Sequence, residues 1–206
     1  HLVPLLSGEQ FQKYFPNRKN MLDFKADELT FKDIILKKKK LSVSDVEVDQ
    51  PELKVYTNAE RKRKTSEKRK SFEADLGNLR FRNALVQVYH SEGKKVFSAD
   101  HLNVSLSRFH LNEETTKNTV PFTFEKLDLN GQNGQFSGKV QDAYVAAFAL
   151  NEKSAHFRNM VLSSKASETD KPTSNLSVKQ MTFVLNDWKW VERKLKLDAA
   201  NIIIDG

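Results

Sequence analysis

Four internal histidines, His90, His101, His110 and His156, are the first side chains to ask about chemistry. No two stand four residues apart, the spacing by which a helix offers two imidazoles to one metal. The chain also has no cysteine to complete a zinc set. The missing cysteines also exclude a thiol nucleophile and a disulfide framework, and they leave the compartment open. No Gly-x-Ser-x-Gly elbow, Gly-rich phosphate loop or dinucleotide fingerprint occurs, and only seven glycines are present to build one. Aspartates and glutamates are scattered over polar positions and turns, so nothing local pairs two carboxylates for acid–base work. The residues therefore point to a protein that is not an enzyme and takes no metal or cofactor.

The net charge of +7 raises the question of nucleic acid. Its placement argues otherwise. Lys37 to Lys40 fall between two strand patterns, where a hairpin turn belongs, and Arg61 to Lys70 form a second basic run in a polar insertion. Neither run interleaves with aromatics that would stack bases. Both read as solvated loops whose lysines guard strand edges, with anionic lipid headgroups as the other available contact. No stretch nears the roughly 20 apolar residues of a membrane-spanning helix. The longest apolar run, Tyr144 to Leu150, is strand-sized. The chain opens at His1 with neither an initiator Met nor a leader-like segment, which suggests that upstream sequence is missing.

What must position these residues is a strand motif that repeats. With Φ for an apolar residue it reads Φ-x-Φ-polar-polar-Φ-x-Φ. Its copies are Leu29, Phe31, Ile34, Leu36; Leu41, Val43, Val46, Val48; Leu79, Phe81, Ala84, Val86; Ala155, Phe157, Met160, Leu162; and Leu176, Val178, Met181, Phe183. A weaker copy is Leu195, Leu197, Ala200, Ile202. Period two puts each Φ-x-Φ pair on one face of a strand, and two intervening residues would throw the second pair onto the other. A bulge restores the phase. Asp33, Asp45, Asn83 and Asn159 occupy the second polar position, and Asp and Asn tolerate the left-handed backbone such a bulge uses. Bulges bend strands, so the sheet should curve.

Further strands are expected at Leu53–Tyr56, Val86–Tyr89, Val96–Ala99, Leu102–Leu106, Phe122–Leu129, Ala143–Leu150 and Phe183–Val191. Asn130-Gly131-Gln132-Asn133-Gly134 reads as a strong turn. One helix start stands out. Ser7 and Gln10 form a capping box, Leu6 and Phe11 a staple, and Pro16 ends the helix. The sequons at Asn103 and Asn175 lie within strand patterns and are read as chance. The expected fold is all-β: an elongated, curved antiparallel meander forming a groove over residues 21–206, with a short helical cap in 1–20. A charged loop is expected at 57–78, and another at 167–174.

The run Leu29–Leu36, then Leu41–Tyr56 with Val46-x-Val48-x-x-Pro51-x-Leu53-x-Val55, resembles the AsmA-like proteins of Gram-negative bacteria. Leu79-Arg-Phe-Arg-Asn-Ala-Leu-Val followed by Tyr89 is similar to their recurring unit, with a flavour close to large AsmA-like proteins of Bacteroidetes. The resemblance covers most of the chain from Met21. It implies a periplasmic segment of a longer groove, held to the inner membrane by an N-terminal anchor, that carries phospholipid acyl chains in outer-membrane lipid homeostasis. It brings no catalytic residues. The side chains expected to line the groove are Leu29, Phe31, Ile34, Leu36, Leu79, Phe81, Val86, Phe157, Met160 and Leu162. Packing against a second sheet is the alternative for each. The basic run matches no pattern of the family, and Arg61, Lys62, Arg63 and Lys64 are its candidate contacts to a headgroup or protein partner. The alternative function is an adaptor of the cell envelope, acting through protein contacts at its strand edges.

Overall fold

The computed structural model describes residue 10 and residues 20–57, 73–90, 93–115, 122–165, 174–191 and 194–206. The expected helical cap and Arg61–Lys64 lie outside these residues, except Gln10, which is helical. Among the described residues twelve strands make one sheet. They are β1 Asn20–Lys25, β2 Glu28–Lys32, β3 Ile35–Lys37, β4 Lys40–Asp49, β5 Glu52–Thr57, β6 Glu73–Tyr89, β7 Lys95–Leu111, β8 Lys126–Ser137, β9 Gln141–Asn151, β10 Ser154–Ser164, β11 Asn175–Val191 and β12 Lys194–Asp205.

The sheet is curved and unclosed, with β12 at one edge and the broken strand β1–β2–β3 at the other. Lys38 takes a positive φ of 53° and turns β3 into β4, which fits the hairpin expected at Lys37–Lys40. The hairpin is long. Asn20 pairs with Thr57 at one end and Lys37 with Lys40 at the other, without a register shift between.

Three sequence expectations need correcting. The meander is not antiparallel throughout, since β4 and β5 lie end to end and parallel to β6. Residues 58–72, between β5 and β6, lie outside the described residues. The charged loop expected at 57–78 overlaps strands at both ends, because Thr57 belongs to β5 and Glu73–Asn78 pair with Lys40–Asp45 and, from Ala74, with β7. The Asn130–Gly134 segment is not a turn either. β8 runs straight through it to Ser137, and the chain reverses at 138–140, where Gly138 N–H donates to the Gln141 carbonyl at 2.8 Å.

The turn-type residues serve the strand instead. Asn133 holds φ 50° within β8. Gly131 leaves room for Phe148, whose ring tip would stand 2.6 Å from a Cβ there.

The left-handed residues line up across the sheet. Gln50, Asn83, His101, Asn133 and Asn159 all have φ between 46° and 51° and mark a row from the gap between β4 and β5 to β10. A second row joins Asp33 (φ 51°), Ser44, Gly77 and Arg108 (φ 49°). The expected backbone is thus present at Asp33, Asn83 and Asn159, while Asp45 stays extended. Where β8, β9, β10 and β11 cross the first row, all change phase at one level, so their pairing continues one to one. At this row the registers shift around β7, at Asn83 and Asp100, and further shifts lie at Val88–Tyr89 between β6 and β7 and at Val184–Asp187 between β11 and β12. Two consecutive exposed residues mark the change in several strands: Arg82-Asn83, Gln132-Asn133, Arg158-Asn159 and Lys179-Gln180.

Candidate functional site

Coordinated phase changes keep every Φ pair on the same face, and the registers join these residues into tracks across the strands. One track runs Leu29, Val48, Phe81, Val104, Leu129, Leu150, Ala155, Phe183, Ile202, one residue per strand from β2 to β12. At roughly 4.8 Å per strand it spans about 38 Å. Another runs Leu22, Val55, Val88, Phe97, Phe136, Ala143, Leu162, Leu176, from β1 to β11. Between them Phe148, Phe157, Met181 and Ile204 form a shorter row. Phe157 meets Phe183 edge-on at 6.0 Å, a favoured aromatic geometry that stiffens this patch.

No second layer covers the face among the described residues. Among the described residues no large side chain is fully buried, and the buried apolar set is mostly Val and Ala with Leu106, Leu127 and Leu185. The tightest cluster is Val43, Val46 and Val48 at 5%, 6% and 2% exposure, against Leu41, Leu76, Leu79 and Phe81. Elsewhere the apolar side chains shade one another. Val104 and Leu129 are half-buried, whereas Asn103, Ser105, Asp128 and Asn130 beside them are exposed. The tracks run out at both edges, with Leu29 48% and Ile202 53% exposed.

The opposite face is polar. Asn103 Nδ2 donates to Asn130 Oδ1 at 3.0 Å, and Asn83 N–H donates to Asn103 Oδ1 at 3.0 Å. A depression of about 730 Å³ on this side is floored by Ala147 and Ala149 between Asn130 and Gln132 on one flank and His156 and Arg158 on the other.

Glu73, Asp75 and His110 bring three potential metal-ligand atoms within 4.8 Å of one another. Lys40 Nζ binds Glu73 at 2.7 Å and Asp75 at 2.6 Å, so an ammonium stands where a cation would. Asp75 also pairs with His110. The hydrogen bond from Lys40, then that from His110, holds the Asp75 carboxyl below its ordinary range. Lys40 is in turn held above its ordinary range by Asp75 and Glu73. The cluster reads as an ion-pair network fastening β4 to β6 and β7.

The ten residues expected from the sequence all map to the apolar side of the strand motifs. Leu79, Phe81 and Val86 lie on β6; Phe157, Met160 and Leu162 on β10; and Leu29, Phe31, Ile34 and Leu36 on or beside β2 and β3 at the edge. Phe31, Ile34 and Leu36 are 45%, 58% and 67% exposed. They form an open sheet face, with no enclosed cavity among them. Sequence reasoning missed Val104, Leu129, Leu150 and Phe148, which complete the tracks. The alternation in Leu102–Leu106 and the run Tyr144–Leu150 were the available signals.

Over the described residues the fold and the face define an open, curved β-sheet with one apolar side left uncovered. Comparison with protein-family models, curated proteins and solved structures finds no match to this chain. The AsmA-like resemblance accordingly rests on the strand motifs.

Proposed function

We propose that the chain is a non-enzymatic, periplasmic segment that binds or conducts phospholipid acyl chains along its apolar face, in outer-membrane lipid homeostasis. The observation that carries this reading is the uncovered track from Leu29 to Ile202, apolar at every strand it crosses. An acyl chain fully withdrawn from water gains about 0.8 kcal/mol per methylene, and one lying on an open face about half of that. Such one-sided contact favours passage along the track over tight storage. Headgroups would remain in water beyond the track, where the net charge of +7 favours anionic species. Membrane attachment through an N-terminal anchor belongs to the same proposal and comes from the family resemblance, whereas headgroup contact by Arg61–Lys64 rests on the charge of that basic run.

Native mass spectrometry of the purified chain, followed by organic extraction, tests the reading. Bound phospholipid is expected, and it should fall several-fold in a Phe31→Asp/Leu36→Asp variant. Both residues are exposed at the edge, so this variant should keep the strand signature in circular dichroism. A clean apo mass with no uptake from liposomes would remove the lipid reading and favour the envelope-adaptor role, in which the strand edges make the contacts.

A further inference from the structure

The depression on the polar face lies in the middle of the sheet and has a composition that the sheet itself does not require. Its floor is Ala147 and Ala149, successive polar-face positions of β9. Alanine is depleted in strands, and on an uncovered face its methyl packs against little. The neighbouring strands carry long polar side chains at the same level. The registers set Ala149 between Asn130 and His156, and Ala147 between Gln132 and Arg158. Two strand spacings, about 9.6 Å, separate these walls, and a step of two residues along a wall covers about 7 Å. The trough has the footprint of one sugar ring, and no carboxylate lines it. One wall is held from behind, because Asn103 Nδ2 donates to Asn130 Oδ1 and leaves the Asn130 Nδ2 donors for the trough. Opposite, His156 is tied by its two ring nitrogens to Thr182 Oγ1 and Ser154 Oγ, each at 3.1 Å. Gln132, Arg158 and Gln180 have no hydrogen-bond or ion-pair partner among the described residues. The lining thus offers donors in excess of acceptors, around one unpaired guanidinium.

We infer that this trough binds a sugar carrying one anionic group, a carboxylate or a phosphate. Arg158 takes the anionic group in a two-pronged contact, a geometry that carboxylate and phosphate oxygens both match. Asn130 donates to a ring hydroxyl. Gln132 and Gln180 each pair a donor with an acceptor, and neighbouring sugar hydroxyls donate and accept in the same way. The alanine floor leaves room for the ring between the walls. A neutral sugar forgoes the charge-assisted contact, and a bare anion forgoes the amides, so neither satisfies the whole lining. The trough lies on the face opposite the apolar tracks, which makes it independent of the lipid reading.

Two-dimensional NMR titration of the full chain at low salt with glucose 6-phosphate, glucuronate, glucose and inorganic phosphate tests this. At least one of the two acidic sugars should give saturable shifts centred on the Ala147 and Ala149 amides. It should bind about tenfold or more tighter than glucose or inorganic phosphate. The better of the two acidic sugars assigns the anionic group. Arg158→Gln should weaken that sugar about tenfold or more. Ala147→Leu, which fills the floor, should abolish the shifts. Arg158 is exposed and Ala147 half-buried on the same polar face, so both variants should keep the strand signature in circular dichroism. No saturable shift with either acidic sugar up to about 10 mM would overturn the inference. Equal binding of inorganic phosphate or glucose, or undiminished binding by the Arg158→Gln variant, would do the same.

Discussion

Gly77 sits where β4 and β6 come closest in the Asp33–Ser44–Gly77–Arg108 row. A Cβ there would stand 2.5 Å from the Ser44 carbonyl oxygen, a backbone atom that moves only with its strand. At Gly131 the obstruction is the far end of the Phe148 side chain, at 2.6 Å, and at Gly134 the nearest atom is 3.2 Å away. Destabilisation on substitution by alanine should fall in the order Gly77, Gly131, Gly134. The first should cost about 2–3 kcal/mol and the last under about 1 kcal/mol, read as shifts in urea midpoint at constant slope.

Asn159 tests the phase-change row at the same scale. Asn159→Val forces a β-branched residue into the left-handed region and should cost about 1–2 kcal/mol. Asn159→Gly should be nearly neutral.

The depressed carboxyl of Asp75 has a defined acid signature. A carboxyl whose folded pKa lies below its unfolded value lends stability that is present above the unfolded value, near 3.8, and lost as pH falls through the folded one. Asp75→Asn should therefore reduce stability at neutral pH and flatten the decline below about pH 4. The group is partly exposed, so the change should be about 0.3–1 kcal/mol. Urea melts of both proteins at pH 3, 4 and 7 would show it.

At the scale of elements, the hairpin from Asn20 to Thr57 is the part of the sheet that needs most explanation. It docks on β6 in parallel, an arrangement no local signal demands. Its hold comes from Val43, Val46 and Val48, the best-buried cluster described. Val48→Ala should cost about 2 kcal/mol, whereas Leu36→Ala, at a position 67% exposed in β3, should cost under about 0.5 kcal/mol. Differential hydrogen exchange should show β4 and β6 losing protection together in the Val48 variant. The Asn130–Gly134 segment carries the second lesson at this scale. An Asn-Gly pair signals backbone freedom, and freedom can serve a turn, a strand irregularity or a close approach. Here Asn133 supplies a left-handed residue inside β8, and Gly131 makes space for Phe148.

At the scale of the whole molecule, the described residues depart from an ordinary β-sandwich in leaving one face without a second sheet. An exposed apolar patch of this extent marks a surface that meets something apolar. Much of that was written in the chain. The repeated motif determined an all-β fold with apolar residues collected on one side, because period two with a shared polar pair admits few other outcomes. The strand patterns on either side of Lys37–Lys40 marked the first hairpin.

Only the tertiary structure decided the rest. It set β4 and β5 parallel to β6, since a strand's neighbour is chosen by burial against residues distant in sequence. It aligned the left-handed residues into rows, since a phase change keeps one-to-one pairing only if adjoining strands make it at the same level. It also left the apolar face open, since the same alternation serves a sandwich core and an uncovered track, and the difference lies in whether a second sheet arrives to cover it.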